Sequence, residues 1–142
     1  MKPGVENTDL VSNLDYAETF LDLAGAPVPA DMQGRSIVPI LKGEKPADWR
    51  TSFYYHYYEL PGAHSVKKHY GIYDGRYKLI HFYDDVDDWE LIDLEKDPLE
   101  MKSYYDDPEY AAVKERLQKE LERQIEELKV PKEDTIQGTK YK

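Results

Sequence analysis

Apolar positions along this chain follow two different periods. From residue 12 to residue 24 they recur at helical spacing, with Leu14, Ala17, Leu21 and Ala24 on one face. Ser12 and Asp15 have a capping-box-like spacing that marks the start of this helix. Gly25 can take the left-handed backbone of a helix end, and Pro27 and Pro29 prevent continuation. Residues 1 to 11 are polar and read as a leading segment. Residues 30 to 45 read as irregular: the short apolar run Ile37 to Leu41 is broken by Pro39. That stretch is not expected to order itself without a partner surface.

The period then changes to two. Phe53 to Tyr58 predicts a strand with Phe53, Tyr55 and Tyr57 on one face and Tyr54, His56 and Tyr58 on the other. Leu60-Pro61-Gly62 ends it, and a basic loop follows. His69 to Tyr73 and Arg76 to Tyr83 predict a hairpin joined by Asp74-Gly75, since both turn residues tolerate positive φ. Beyond an acidic turn, Asp84 to Asp88, the stretch Trp89 to Leu94 predicts another strand. Short connections between successive strands favour an antiparallel sheet.

Helical spacing returns at the end. Asp107 stands at an N-cap position and Pro108 at the first helical one. Tyr110, Val113, Leu117, Leu121, Ile125 and Leu128 form a sustained stripe, and Pro131 ends the helix. The fold class is therefore α+β: an antiparallel sheet packed by a long C-terminal helix, preceded by an N-terminal helix and an irregular segment. Residues 1–130 are expected to form one subdomain, and residues 131–142 a mobile tail.

Composition narrows the function classes. The 142 residues suit one domain or a substantial subdomain. A formal net charge of -10 gives no basic footprint for nucleic acid. No run approaches the length of a membrane span. The start carries no signal-peptide pattern and reads as a point inside a longer chain. Cysteine is absent, which excludes disulfides and thiolate metal sites.

Against that acidic background, residues 52 to 83 hold all four histidines and most of the tyrosines. His64, Lys67, Lys68 and His69 form a local basic cluster there. Imidazoles and ammonium groups make charge-assisted hydrogen bonds to an anionic or sugar-like ligand. His64, Lys68 and His69 are thus the candidate binding residues; the alternative is a solvated polar loop, with His69 merely starting a strand. His56 and His81 lie in strands and are expected to be structural, bonded to a tyrosine or the backbone. The tyrosines suit stacking on sugar rings, or a core or interface; interface is favoured for one face of Phe53 to Tyr58. Asp84, Asp85, Asp87, Asp88 and Glu90 lack the spacing and glycine of an EF-hand loop, so an acidic solvated turn is expected and no metal site. Arg35 is read either as a surface side chain or as the partner of a carboxylate outside the chain.

Several segments, taken in order, resemble one enzyme family. They are Val11-Ser12-Asn13-Leu14-Asp15 through Phe20-Leu21-Asp22-Leu23-Ala24-Gly25, then Met32-Gln33-Gly34-Arg35-Ser36 and Pro39-Ile40-Leu41-Lys42-Gly43. Trp49-Arg50, Gly75-Arg76-Tyr77-Lys78-Leu79-Ile80 and Trp89-Glu90-Leu91-Ile92-Asp93-Leu94-Glu95-Lys96-Asp97-Pro98-Leu99-Glu100 complete the set. Their order and spacing are similar to the C-terminal region of formylglycine-dependent sulfatases, over roughly residues 3 to 128. The resemblance implies an alkaline-phosphatase-like catalytic domain elsewhere and a C-terminal subdomain with an antiparallel sheet of about four strands and a packing helix. It also implies hydrolysis of sulfate esters, with formylglycine and calcium in that catalytic domain. The catalytic domain and a sulfated sugar or aryl sulfate are the implied partners, and a bacterial parent would be periplasmic or secreted.

The sequence departs from the family where the chemistry is done. No Cys/Ser-x-Pro-x-Arg motif occurs, and the family's metal-binding Asp and Asn pairs are absent. The chain alone is therefore expected to be inactive, giving structural support and substrate recognition to the parent enzyme. Other readings are an autonomous carbohydrate- or anion-binding module, a structural interaction domain, and part of a phosphate or phosphonate ester hydrolase.

Overall fold

The computed structural model describes residues 3–84 and 86–132. Asp85 of the acidic turn, and residues 133–142 of the expected tail, lie outside the described residues. The chain divides into two compact units, one ending at Thr51 and the other beginning at Ser52.

The first unit is built on α1 (Asp15–Leu23) and the single turn α2 (Val38–Leu41). α1 closes as its sequence predicts. Gly25 has φ 68, Ala26 N–H donates to Leu21 O at 2.9 Å, and Gly25 N–H donates to Asp22 O at 3.0 Å. The apolar face Leu14, Ala17, Leu21 and Ala24 is not the one the unit buries. Asp15, Glu18 and Thr19 are buried, whereas Leu14, Phe20 and Leu23 are 53%, 69% and 65% exposed. The reason is the irregular segment that follows, whose backbone donors need acceptors. Gly34 N–H donates to Glu18 Oε1 at 2.7 Å, Arg35 N–H to Asp15 Oδ1 at 2.8 Å, and Ile37 N–H to Thr19 Oγ1 at 3.0 Å. α1's polar stripe is thus the surface on which residues 34–37 are ordered. Gly34 permits this approach, because a Cβ there would run into Leu14 O and the Glu18 carboxylate.

Arg50 completes the unit by donating from both terminal nitrogens to the Asp15 carboxylate. Burial opposes ionisation of Asp15, but the Arg50 hydrogen bonds and the Ser12 and Arg35 N–H groups outweigh it and lower its pKa. Arg35 pairs with Asp48 of the same unit at 2.9 Å. The guanidinium groups of Arg35 and Arg50 both lie over the Trp49 ring, 5.0 and 5.1 Å from its centroid.

The second unit is a four-stranded antiparallel meander packed by one helix. Its strands are β1 (Phe53–Tyr57), β2 (His69–Tyr73), β3 (Tyr77–Phe82) and β4 (Asp88–Asp93), in the order β1-β2-β3-β4. The β2–β3 hairpin forms, but its turn is shifted from the expected one. Asp74 N–H bonds Tyr77 O at 3.2 Å, leaving Gly75 and Arg76 at the tip, and Gly75 has φ 95. Asp74 acts through its carboxylate, accepting from Arg76 N–H and Tyr77 N–H at 3.0 and 2.7 Å.

Pro108–Tyr110 form one 3-10 turn, capped by the Asp107 carboxylate, and lead into α3 (Ala111–Glu127). Leu117 and Leu121 of α3 bury against Tyr70, Ile72, Leu79 and Leu91 of the sheet. Gln124 belongs to the same buried face although it is polar. Its Oε1 accepts from Tyr54 N–H at 2.7 Å and its Nε2 donates to Ser52 Oγ at 2.7 Å. One donor on the outer edge of β1 is thereby satisfied. At the opposite edge, Leu91 N–H donates to Ser103 Oγ and Tyr104 N–H to Leu91 O. Gln124→Ala is expected to destabilise the protein by about 1–3 kcal/mol, because it strands the Tyr54 donor. The midpoint of urea unfolding measures this.

Candidate functional site

The register of the sheet sorts its aromatic residues onto two faces. Tyr54, His56, Tyr70, His81 and Trp89 share the face toward α3, with pairs His56↔Tyr70 and His81↔Trp89. Phe53, Tyr55, Tyr57, His69 and Phe82 share the other, with pairs Tyr57↔His69 and His69↔Phe82.

On the α3 side the imidazoles are held by tyrosines. His56 bonds the Tyr54 hydroxyl through Nδ1 at 2.7 Å and the Tyr83 hydroxyl through Nε2 at 2.6 Å. His81 meets Asp87 Oδ1 through Nε2 at 2.8 Å and the Tyr70 hydroxyl through Nδ1 at 2.7 Å. Burial and the nearby Asp87 charge push the Tyr70 hydroxyl up to about 12. His81 also stacks on Trp89 with centroids 4.1 Å apart. Neither ring is offered to a ligand.

The open face carries a groove of about 540 Å³ lined by Tyr55, Tyr73, Lys78, Ile80 and Glu100 among others. Gly71 makes room for the Tyr55 ring, since a Cβ there would meet Leu79 O and the Tyr55 hydroxyl. Burial, with the charges of Glu100 and Glu90, pushes the Tyr55 hydroxyl above its usual range. Lys78 is paired with Glu100 across this groove. The Tyr57 hydroxyl is buried and has no hydrogen-bond partner among the described residues.

The three candidate residues stand at one end of the sheet, on and beside the β1–β2 loop of residues 58–68, and they are not equivalent. His64 lies exposed in the loop, with no hydrogen bond or ion pair among the described residues. Lys68 is at the loop's base, where its Nζ meets Asp84 Oδ2 at 2.8 Å. His69 begins β2; its Nδ1–H donates to Lys67 O at 2.8 Å and its ring stacks on Tyr57, centroids 5.5 Å apart. No hydrogen bond or ion pair joins the three to one another among the described residues. His64 is the one presented to solvent, while Lys68 and His69 are engaged where the loop joins the sheet.

Asp84 was hidden in the sequence by its neighbours, because a run of aspartates reads as a solvated turn. Its position directly after β3, beside the start of β2, is the signal that would have paired it with Lys68. Among the described residues no group of three or more His, Asp or Glu side chains is arranged to hold a metal ion. Among the described residues no helix is long and apolar enough to cross a membrane.

Comparison with known proteins gives a consistent picture. The family model described as N-sulphoglucosamine sulphohydrolase, C-terminal, matches residues 1–127. An N-acetylglucosamine-6-O-sulfatase of Bacteroides thetaiotaomicron is 50% identical over 129 residues, which are 89% of this chain and 22% of that protein. A Delta 4,5-hexuronate-2-O-sulfatase of the same organism is 34% identical over 108 residues, 70% of this chain and 20% of that one. Among solved structures, one in complex with its substrate D-glucosamine-2-N,6-O-disulfate has a TM-score of 0.80 at 48% identity, covering 84% of this chain and 25% of that one. A phosphonate monoester hydrolase from Silicibacter pomeroyi has a TM-score of 0.64 at 27% identity, covering 80% of this chain and 24% of that one. The chain thus spans about a fifth to a quarter of the length of these relatives.

Proposed function

The chain belongs to the family of N-sulphoglucosamine sulphohydrolase C-terminal domains, and from that premise we propose that it is the C-terminal part of a sulfatase acting on a sulfated, glucosamine-type carbohydrate. The observation that carries this reading is the 50% identity to an N-acetylglucosamine-6-O-sulfatase over 89% of the chain. The likeness to a phosphonate monoester hydrolase is weaker in both identity and superposition.

Within the parent the chain supports and recognises rather than reacts. Formylglycine and calcium, which supply the nucleophile and the charge that neutralises the sulfate in such enzymes, do not fit the residues present. The nucleophile motif is missing from the sequence, and no donor cluster stands among the described residues. Both groups belong to the catalytic part of the parent. One feature suits docking onto that part: Leu14 at the start of α1, with Phe20 and Leu23 within it, face outward, and an apolar surface of the catalytic part would cover them.

The recognition site comprises His64, Lys68 and His69. His64 meets the sugar, since its exposed imidazole is free to hydrogen-bond a hydroxyl. Lys68 and His69 stand at the base of the loop that presents it. In the full-length parent, His64→Ala is expected to raise KM for a sulfated glucosamine by about tenfold, the loss of one hydrogen bond at the stronger end of the usual range. Hydrolysis of a small aryl sulfate that lacks the sugar should change little. An unchanged KM for the sugar substrate would remove His64 from the site.

A further inference from the structure

The β1–β2 loop is tied down at its second end by more than its own strand. Lys68 and Asp84 form their ion pair with side chains only 13% and 25% exposed, so solvent screens it less than a surface pair. The backbone reinforces it: Tyr83 N–H donates to Lys68 O at 3.1 Å, one step beyond the His69–Phe82 rung of the ladder. Asp84 itself has φ 81, a conformation few side chains adopt and aspartate tolerates better than most. The chain turns sharply there, and the carboxylate meets Lys68. Neither residue is needed for the sheet's apolar core, which lies among Tyr70, Ile72, Leu79 and Leu91.

We infer that Asp84 is a positioning residue for substrate recognition: by holding Lys68, it fixes where the loop presents His64. This rests on the sulfatase reading and on His64 meeting the sugar. Asp84 touches no substrate in this arrangement. Its charge orders the last residues of the loop before β2 begins, so that less ordering remains to be done when the sugar binds.

The test uses the full-length parent with a sulfated glucosamine and with a small aryl sulfate. Asp84→Asn removes the charge, and Asp84→Gly removes the side chain while accepting the positive φ without strain. Each is expected to raise KM for the sugar about fivefold, within the coupling range of residues in one ion-pair network, and to leave kcat and the aryl sulfate kinetics nearly unchanged. Lys68→Ala should also raise KM for the sugar, and the Lys68→Ala/Asp84→Asn double variant should be no worse than either single one. His64→Ala serves as the reference. If it raises KM and the Asp84 variants do not, the positioning role is wrong while the recognition reading stands. If His64→Ala has no effect, the recognition reading fails and the inference falls with it. Equal loss on both substrates in the Asp84 variants would make Asp84 a merely structural residue and overturn the inference.

Discussion

Replacing Asp93 by alanine is expected to destabilise the second unit by about 3 kcal/mol, the lower end of the cost of breaking a buried ion pair from one side. Asp93 closes β4 and is fully buried. Its carboxylate accepts Arg76 Nε at 3.0 Å and Nη2 at 2.8 Å, the Tyr110 hydroxyl at 2.9 Å and Glu95 N–H at 3.2 Å. It therefore links the β2–β3 turn, the strand edge and the start of α3 through one group. Removal leaves the Tyr110 hydroxyl buried without an acceptor. Arg76 is 37% exposed and keeps Glu95, which is why the lower figure is expected.

The same group sets an acid limit. The Arg76 hydrogen bonds, opposed by burial and helped by Tyr110 and Glu95 N–H, hold Asp93 at about 2 against an ordinary 3.8. Because the folded value is the lower one, the stabilisation is complete above about pH 4 and is lost as pH falls toward 2. Asp93→Asn should flatten that limb of the stability profile. Trp89 lies in this unit and Trp49 in the other, so urea unfolding followed by fluorescence in a Trp49→Phe background reads it directly. A midpoint unmoved by Asp93→Ala would show that the linkage does not stabilise the fold.

Asp15→Ala should cost the first unit about 3–5 kcal/mol for the same physical reason. Asp15 is fully buried and serves Ser12 N–H, Arg35 N–H and both terminal nitrogens of Arg50. Alanine would leave two backbone donors and a largely buried guanidinium unanswered. Asp15→Asn, which keeps an acceptor oxygen and loses the charge, should fall between. Trp49, with Arg35 and Arg50 over its ring, is the reporter in a Trp89→Phe background. An Asp15→Ala protein with a wild-type Trp49 transition would refute this account.

How far these units could be read from sequence depended on where each residue's partner lies. The four strands and α3 were legible because their apolar faces pack on each other, so Leu79, Leu91, Leu117 and Leu121 obey the periods of two and 3.6. α1 was legible as a helix. Its leucine and phenylalanine stripe points away from its own unit, while Asp15, Glu18 and Thr19 bond the chain that follows. Hydrophobic periodicity identified the helix but not the polar face that the chain itself buries. Of the candidate site, His64 stood out by residue type and neighbours. The engagement of Lys68 with Asp84 depends on strand register, which residue types alone do not disclose.

The meander also bears on how such a chain can diversify. Three strand connections build the sheet, and only that spanning residues 58–68 is long. The entropy of closing a flexible loop grows slowly, so doubling its length costs only about 0.6 kcal/mol, less than a typical hydrogen bond contributes. Insertions or deletions near His64 would leave the rungs from Phe53↔Tyr73 to Tyr57↔His69 in place. A lineage descending from this chain could therefore change the loop's tip freely, with the scaffold nearly indifferent to the experiment.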